Sequence, residues 1–362
     1  MTSTTERVTV LGTGLIGSSI AMAAARVGCS VAGWDADPKV AVRAGARAGF
    51  TPSDSLEEAV KDAGIVVICT PIEVVVGLVR RALEAAPTAI VTDTASIKGS
   101  IASIALPAPD APRFVPGHPM GGSERSGPEH ASASIVDDII WVLTPTMVSD
   151  SANVERLATW VGQIGARVVQ MTPERHDHLV AFVSHLPQVA STALMALAAT
   201  EESDEPEILV LAAGGFRDLT RLAASDPALW SEILRSNADQ ITVALDLYIE
   251  RLAALRRDIA NEDTAAIERT FAFAKAARLK LAAKPKVRAG VAVLQVPVPD
   301  RPGALATLAA ALAEGAVNIE DLQIVHSPEG GRGTVHLTVA AADAESAAHI
   351  LRGASFDPVR LA

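Results

Sequence analysis

The chain has 362 residues, enough for two or three domains at the usual ~100–200 residues each. It carries 42 acidic against 31 basic side chains, a net charge of −11, with no Lys/Arg-rich block, which argues against nucleic acid as a partner. Aromatic residues make up only 3%, so the apolar half of the chain is mostly Ala, Val, Leu and Ile; that suits helices packed on a parallel sheet better than a β-sandwich.

From residue 7 to about residue 171, short apolar runs alternate with helical stretches. Residues 8–11, 30–34, 65–69, 89–92, 113–115, 139–143 and 167–170 read as strands, most of them uniformly apolar, as strands covered on both faces must be. Residues 16–27 and 73–85 read as helices between them. The pattern is a doubly wound α/β domain, assigned to residues 1–171. Cys29 and Cys69 lie in apolar segments and read as reduced core residues, not as a disulfide framework. A first strand at residue 7 leaves no room for a signal peptide, and no apolar run reaches the ~18–20 residues of a membrane span. A cytoplasmic location without membrane contact is expected.

After Pro173 the strand signals stop. Residues 174–200, 206–213 and 227–259 read as helices of an all-α domain, residues 172–283. Its last helix carries the stripe Leu234, Ala238, Ile241, Leu245, Tyr248, Leu252, Leu255, Ile259, whose alternating four and three spacing is that of a seam facing another helix. The partner is either a helix of the same subunit or one across a homodimer interface. Residues 282–288, AAKPKVR, read as a linker. Strands at 291–298, 317–326, 333–341 and 357–361, with helices at 302–314 and 344–351, then give a ferredoxin-like βαββαβ unit, residues 289–362.

The segment Gly12-Thr13-Gly14-Leu15-Ile16-Gly17 follows a strand and opens a helix. Gly12 permits the tight turn, Gly14 admits a pyrophosphate to the backbone and Gly17 lets helix and strand approach. Asp35 ends the second strand about 20 residues on, where an acid can bind the ribose hydroxyls. It would repel a 2′-phosphate and no Arg follows it directly, which favours NAD over NADP. Thr70 and Pro71 end another strand at the same sheet edge, where the ribose or nicotinamide commonly lies.

Three polar clusters fall where such a sheet presents its strand ends: Asp93-Thr94-Ala95-Ser96-Ile97-Lys98, then residues 117–127 (GHPMGGSERSG), then Ser184-His185-Leu186-Pro187-Gln188 together with residues 214–221 (GGFRDLTR). An alcohol dehydrogenase needs a base for the hydroxyl proton, and cations if its substrate is an acid; His118 and Arg221 can fill these roles. His130, His326, His336 and His349 read as surface or sheet residues. His176 and His178 sit two apart and so point different ways on a helix, which reads as a solvated helix start with no metal site.

The ordered motifs GxGxxG, DTASIKG, GHPMGGSERSG, HDHxxAxxSHLP and GGFRDLTRxAxSDPxLW resemble those of the prephenate dehydrogenase family, and the tail, including Asp300-Arg301-Pro302-Gly303, resembles an ACT domain. Together they span nearly the whole chain. The resemblance implies an NAD-dependent oxidative decarboxylation of prephenate in tyrosine biosynthesis. In it His118 accepts the proton of the ring hydroxyl, Ser96 hydrogen-bonds that histidine and the hydroxyl, and Arg221 binds a substrate carboxylate. Ser123, Glu124, His185 and Trp230 match further pocket positions. The family's SHLPH reads SHLPQ here, with Gln188 replacing a histidine near the substrate side chain, so arogenate is the runner-up substrate. In the tail, Asp300, Pro302, Gly303 and Asn318 are the expected contacts for an amino-acid effector, tyrosine first, since glycine turns offer N–H groups to a carboxylate.

Two other readings compete. A β-hydroxyacid dehydrogenase places a catalytic lysine on the long helix after the nucleotide domain, and residues 174–200 contain none. A non-enzymatic nucleotide sensor with a ligand module would not need Ser96, His118 and Arg221 together.

Overall fold

The computed structural model describes residues 6–104, 106–107, 109–121, 125–205, 207–282, 291–299, 301–326 and 332–361. The expected linker at 282–288 lies almost wholly outside them. The chain divides into two compact units, residues 1–205 with 219–252, and residues 206–218 with 253–362.

The first unit begins with β1 (Arg7–Leu11), α1 (Leu15–Arg26), β2 (Ser30–Trp34), α2 (Pro38–Ala48), α3 (Leu56–Val60), β3 (Ile65–Ile68), α4 (Ile72–Ala85) and β4 (Ile90–Asp93). The four strands form a parallel sheet in the order β2-β1-β3-β4. β3 is Ile-Val-Val-Ile, buried along its whole length, because helices cover both faces. One face packs on α1 through Ile20, Ala21 and Ala24, the other on α3 and α4 through Leu56, Val79 and Leu83. Cys69 follows β3 as a free thiol, pushed up to about 12 by burial.

Next come α5 (Gly99–Ala102), β5 (Gly117–Met120), β6 (Ile140–Leu143), α6 (Ser151–Gln163) and β7 (Arg167–Gln170). Two expectations are corrected here. Residues 113–115 form no strand of their own; Phe114 makes a single bridge to Val91, and the strand lies later, at Gly117–Met120. The later strands also do not extend the parallel sheet. They make a separate three-stranded sheet, β5-β6-β7, in which β5 runs antiparallel to β6. Pro119 is tolerated because β5 is an edge strand. Consequently His118 stands in a strand, not in a turn.

The helical part of this unit holds α7 (Pro173–Val180) and α8 (Leu186–Glu201), joined without a break by a π turn at Ala181–His185. Pro187 has no N–H to give to the preceding turn and its ring would crowd the carbonyl four residues back; the wider π register relieves both. The span Pro173–Glu201 is long and apolar enough, by length and composition alone, to cross a membrane. It is nevertheless studded with buried polar groups, His176, Asp177, His185 and Gln188, that bond to neighbouring elements of the unit.

Two short helices, α9 (Glu207–Val210) and α10 (Gly214–Thr220), precede α11 (Pro227–Ser236) and α12 (Ala238–Ala260). The single helix expected over 227–259 is therefore broken at Asn237, a buried side chain whose amide bonds elsewhere. The expected stripe also divides. Ile241 is buried and Leu245 packs around it with Ala181, Phe182, Leu186 and Leu234, whereas Tyr248, Leu252 and Ile259 are exposed.

The second unit includes α13 (Thr264–Ala282) and then β8 (Val291–Pro299), α14 (Ala304–Glu314), β9 (Asp321–His326), β10 (Arg332–Ala340), α15 (Ala344–Gly353) and β11 (Val359–Leu361). The strands form an antiparallel sheet, β11-β8-β10-β9, the order of a ferredoxin-like unit. Leu294, Val296, Leu337 and Val339 of the sheet bury against Leu308, Leu312 and Leu351 of the helices.

Candidate active site

The glycine turn between β1 and α1 has the geometry its sequence requires. Gly12 has φ +87°, and a Cβ there would lie 2.5 Å from the Cys69 carbonyl oxygen. At Gly17 a Cβ would lie 2.0 Å from the Gly12 carbonyl oxygen, so only glycine lets α1 rise this close to the strand. Leu15 and Ile16 begin the helix, and a Cβ at Gly14 would meet nothing within 4 Å. Asp35 follows β2. Its Oδ2 accepts hydrogen bonds from Thr13 N at 2.7 Å and Thr13 Oγ1 at 3.2 Å, and its Oδ1 accepts from Asp37 N at 3.0 Å. A carboxylate has about four acceptor positions, so one remains for an added hydroxyl. Thr70 and Pro71 lie at the C-terminal end of β3, Pro71 capping α4, and the buried Thr70 hydroxyl oxygen has no partner among the described residues. The open face at Gly14, the orphaned hydroxyl and the oriented Asp35 fit a dinucleotide.

A buried ion pair joins the two sheets. The fully buried Lys98 ammonium contacts Asp93 Oδ2 at the end of β4 and donates to the Gly117 carbonyl at 2.7 Å, while Asp93 Oδ1 accepts from Gly117 N at 3.3 Å. β5 is thereby pinned to the C-terminal edge of the parallel sheet, and His118 with it. Burial lowers the Lys98 pKa, against which Asp93 acts.

His118 Nδ1 lies 2.8 Å from His176 Nε2, the rings meeting edge to face. His176 Nδ1 lies 2.7 Å from Asp177 Oδ1. That carboxylate also accepts from Lys98 N at 2.8 Å and, through Oδ2, from Gly99 N at 2.7 Å. Burial first, then the neighbouring His176, Lys98 and His185, push the His118 pKa well below the usual histidine value. His118 is therefore neutral at neutral pH, as a proton acceptor must be. His176 is 1% exposed, so the reading of residues 175–178 as a solvated helix start is corrected. Arg175, which is exposed, and His178, bonded to Gln240 at 3.0 Å, remain outside this chain of contacts.

His185, on the π turn, is buried, 3.3 Å from Asn237 Nδ2 and edge-on to Trp230 with ring centres 6.0 Å apart. Burial lowers its pKa to about 4 in spite of Asp177. Gln188 is buried too. Its Nε2 donates to the Leu222 carbonyl at 2.7 Å and its Oε1 accepts from Ser225 Oγ at 3.3 Å. Both ends of the amide hold the 3₁₀ turn Arg221–Ala224, whose exposed first residue is Arg221. Ser96 is half-buried on the loop between β4 and α5; among the described residues it makes no hydrogen bond to His118, whose Nδ1 is taken by His176. Ser123 and Glu124 lie outside the described residues, as does Asp300. Gly303 is exposed at φ +86°, starting α14, and Pro302 is exposed beside it. Asn318 precedes β9, not opening it as expected, and donates to Glu320 Oε1 at 2.9 Å.

Sequence reasoning thus missed Lys98, His176, Asp177 and Asn237. A lysine between apolar residues and an Asp adjacent to a His were the available signals; the wide spacing of their partners hid the rest. Among the described residues no group of three or more His, Cys, Asp or Glu side chains is placed to hold a metal ion.

Family models match the chain in three consecutive blocks: the nucleotide-binding domain of prephenate dehydrogenase over residues 20–170, its dimerization domain over 172–273, and an ACT domain over 292–352. A prephenate dehydrogenase of Bacillus subtilis is 32% identical over 347 residues, covering 93% of each chain. A cyclohexadienyl dehydrogenase of Zymomonas mobilis is 34% identical over 76% of this chain and 96% of its own. The structure of prephenate dehydrogenase from A. aeolicus in complex with hydroxyphenyl propionate and NAD+ superposes with a TM-score of 0.72 at 26% identity, over 78% of this chain and all of that one. Synechocystis arogenate dehydrogenase gives 0.67 at 29%, over 76% of this chain and 99% of that one. With three family blocks in order and a relative 32% identical over 93% of the chain, the chain belongs to the prephenate dehydrogenase family.

Proposed function

We propose that the protein is an NAD-dependent dehydrogenase that oxidatively decarboxylates prephenate to 4-hydroxyphenylpyruvate. The observation that carries this is His118, neutral and held through Nδ1, pinned by the Asp93–Lys98 pair to the C-terminal edge of the parallel sheet, the edge that also carries the glycine turn. NAD, when bound, supplies the hydride acceptor for the carbon bearing the hydroxyl. Gly12, Gly14 and Gly17 with Leu15 and Ile16 would hold its pyrophosphate, Asp35 its ribose, and Thr70 and Pro71 would serve its nicotinamide half. His118 Nε2 takes the hydroxyl proton as hydride leaves C4, with Ser96 positioned to orient that hydroxyl. Loss of carbon dioxide then makes the ring aromatic, so the protein's task is alignment and the holding of two carboxylates. Arg221 binds one of them, with Trp230, His185, Ser123 and Glu124 around the ring. Gln188 acts by holding the Arg221 turn.

Steady-state kinetics with prephenate and with arogenate, each with NAD and NADP, with and without tyrosine, tests this reading. NADH formation from prephenate at the higher kcat/KM is the expected result; a higher value with arogenate transfers the assignment to arogenate. Inhibition by tyrosine is expected through residues 289–362, at Asp300, Pro302, Gly303 and Asn318. The exposed Tyr248, Leu252 and Ile259 are then the surface of a homodimer built on residues 172–283.

Two variants refine the assignment. Arg221→Ala should raise KM for prephenate about 30-fold, corresponding to the lower end, ~2 kcal/mol, of what a charge-assisted contact is worth, because Arg221 is exposed. An unchanged KM would make Arg221 a structural residue of its turn. In Asp35→Ser the preference for NAD over NADP should narrow, since the carboxylate that repels a 2′-phosphate is gone; equal kcat/KM for both cofactors in the wild type would refute the role of Asp35.

A further inference from the structure

We infer that Asp177 and His176 are positioning residues that set the tautomer of His118. The inference rests on the reading of His118 as the base. Asp177 accepts Lys98 N at 2.8 Å and Gly99 N at 2.7 Å, and a carboxylate in that position has no proton to give to His176. The 2.7 Å contact between Asp177 Oδ1 and His176 Nδ1 is therefore a hydrogen bond donated by His176. With its single ring proton placed on Nδ1 by Asp177, His176 presents a lone pair at Nε2. The only way to make the 2.8 Å contact between that atom and His118 Nδ1 a hydrogen bond is for His118 to carry its proton on Nδ1. His118 Nε2 is then unprotonated and available to a substrate hydroxyl.

The surroundings hold this arrangement from several sides. Asp177 sits on α7, while its two backbone donors belong to the start of α5; a Cβ on Gly99 would lie 2.9 Å from Asp177 Oδ2, so the approach needs glycine there. Asn237, at the break between α11 and α12, donates to the Asp177 carbonyl at 2.9 Å and fixes the same turn of α7. His118 itself is fixed from the other side by the strand β5 that Lys98 holds. The family's Lys-Gly pair and its His-Asp pair, far apart in sequence, thus form one device.

Histidine 15N spectra of the full-length protein test this directly, because the two neutral tautomers have distinct nitrogen shifts. The His118 signals are assigned by their loss in His118→Asn. The expected wild-type result is His118 protonated at Nδ1 and bare at Nε2; a His118 protonated at Nε2 would overturn the proposal. In Asp177→Asn an NH2 must face either Lys98 N–H or Gly99 N–H; where it takes the place of Oδ1 it donates to His176 Nδ1, which inverts the pattern and places the His118 proton on Nε2. The expected outcome is an inverted tautomer with kcat lowered ~10²–10⁴-fold, the range for disabling a base by its orienting partner, and KM for NAD little changed. An inverted His118 tautomer with near-normal kcat would overturn it. If Asp177→Asn does not fold, the wild-type spectrum decides alone. A fully active His118→Asn variant would instead refute the role of His118 as base, whatever its tautomer, which separates the two failures.

Discussion

His118→Asn should lower kcat by about 10²–10⁴-fold, the range for removing a general base, with little change in KM for prephenate. The side chain stands at the edge of β5 with its Nδ1 engaged by His176, so an amide of similar reach keeps the packing while losing the titrating nitrogen. The pH dependence gives a second, independent readout. Burial first, then the neighbouring His176, Lys98 and His185, hold the His118 pKa well below 6.5, so the wild-type kcat/KM should be flat through neutral pH and fall only in acid, as the base becomes protonated. That acid limb should vanish in the variant. Its persistence, or a near-normal kcat, would remove His118 from the chemistry and return the proton to another group of the site.

Lys98→Met should lower stability by about 3–5 kcal/mol, the cost of leaving one member of a buried ion pair without its partner. At ~2–4 °C per kcal/mol for a unit of this size, the melting temperature drops by ~6–20 °C. The reason lies in what remains. Asp93 is fully buried and keeps only backbone donors, Ala95 N at 3.0 Å and Gly117 N at 3.3 Å, while the Gly117 carbonyl loses its ammonium. Adding Asp93→Asn to Lys98→Met should recover part of the loss, because it removes the uncompensated charge; residues sharing one contact do not add independently. Melting curves of the two single variants and the double variant measure this. Strict additivity would mean that the pair contributes nothing as a pair. Because the same lysine holds β5, activity should fall in Lys98→Met even below its melting temperature.

Local order was readable in the chain wherever one periodicity dominates. The all-apolar residues 65–68 can only be a strand covered on both faces, and they are. The glycine turn followed by an acid after the second strand specifies a nucleotide site by itself, since Gly12 and Gly17 answer steric demands that no other residue meets. The tail's alternation of strands and helices gave its βαββαβ order, with bounds displaced by only a few residues. His118 and Arg221 stood out as candidates, because their motifs are local and their residue types carry chemistry, and His185 entered as a candidate by resemblance.

What sequence alone determined, then, is the sequence of domains, most of their elements and the cofactor turn, together with a set of candidate residues. The tertiary structure decided which groups those residues meet. No local pattern tells that residues 117–120 leave the parallel sheet and pair antiparallel with β6, or that the apparent helix over 227–259 breaks at Asn237 so that its amide can reach Asp177 and His185. The role of the His-Asp pair at 176–177 depends on partners 58 and 79 residues away, His118 and Lys98. Helical spacing describes which way a side chain points, but a hydrogen bond needs two groups brought to within about 3 Å, and that is settled only when the strands and helices carrying them are packed together.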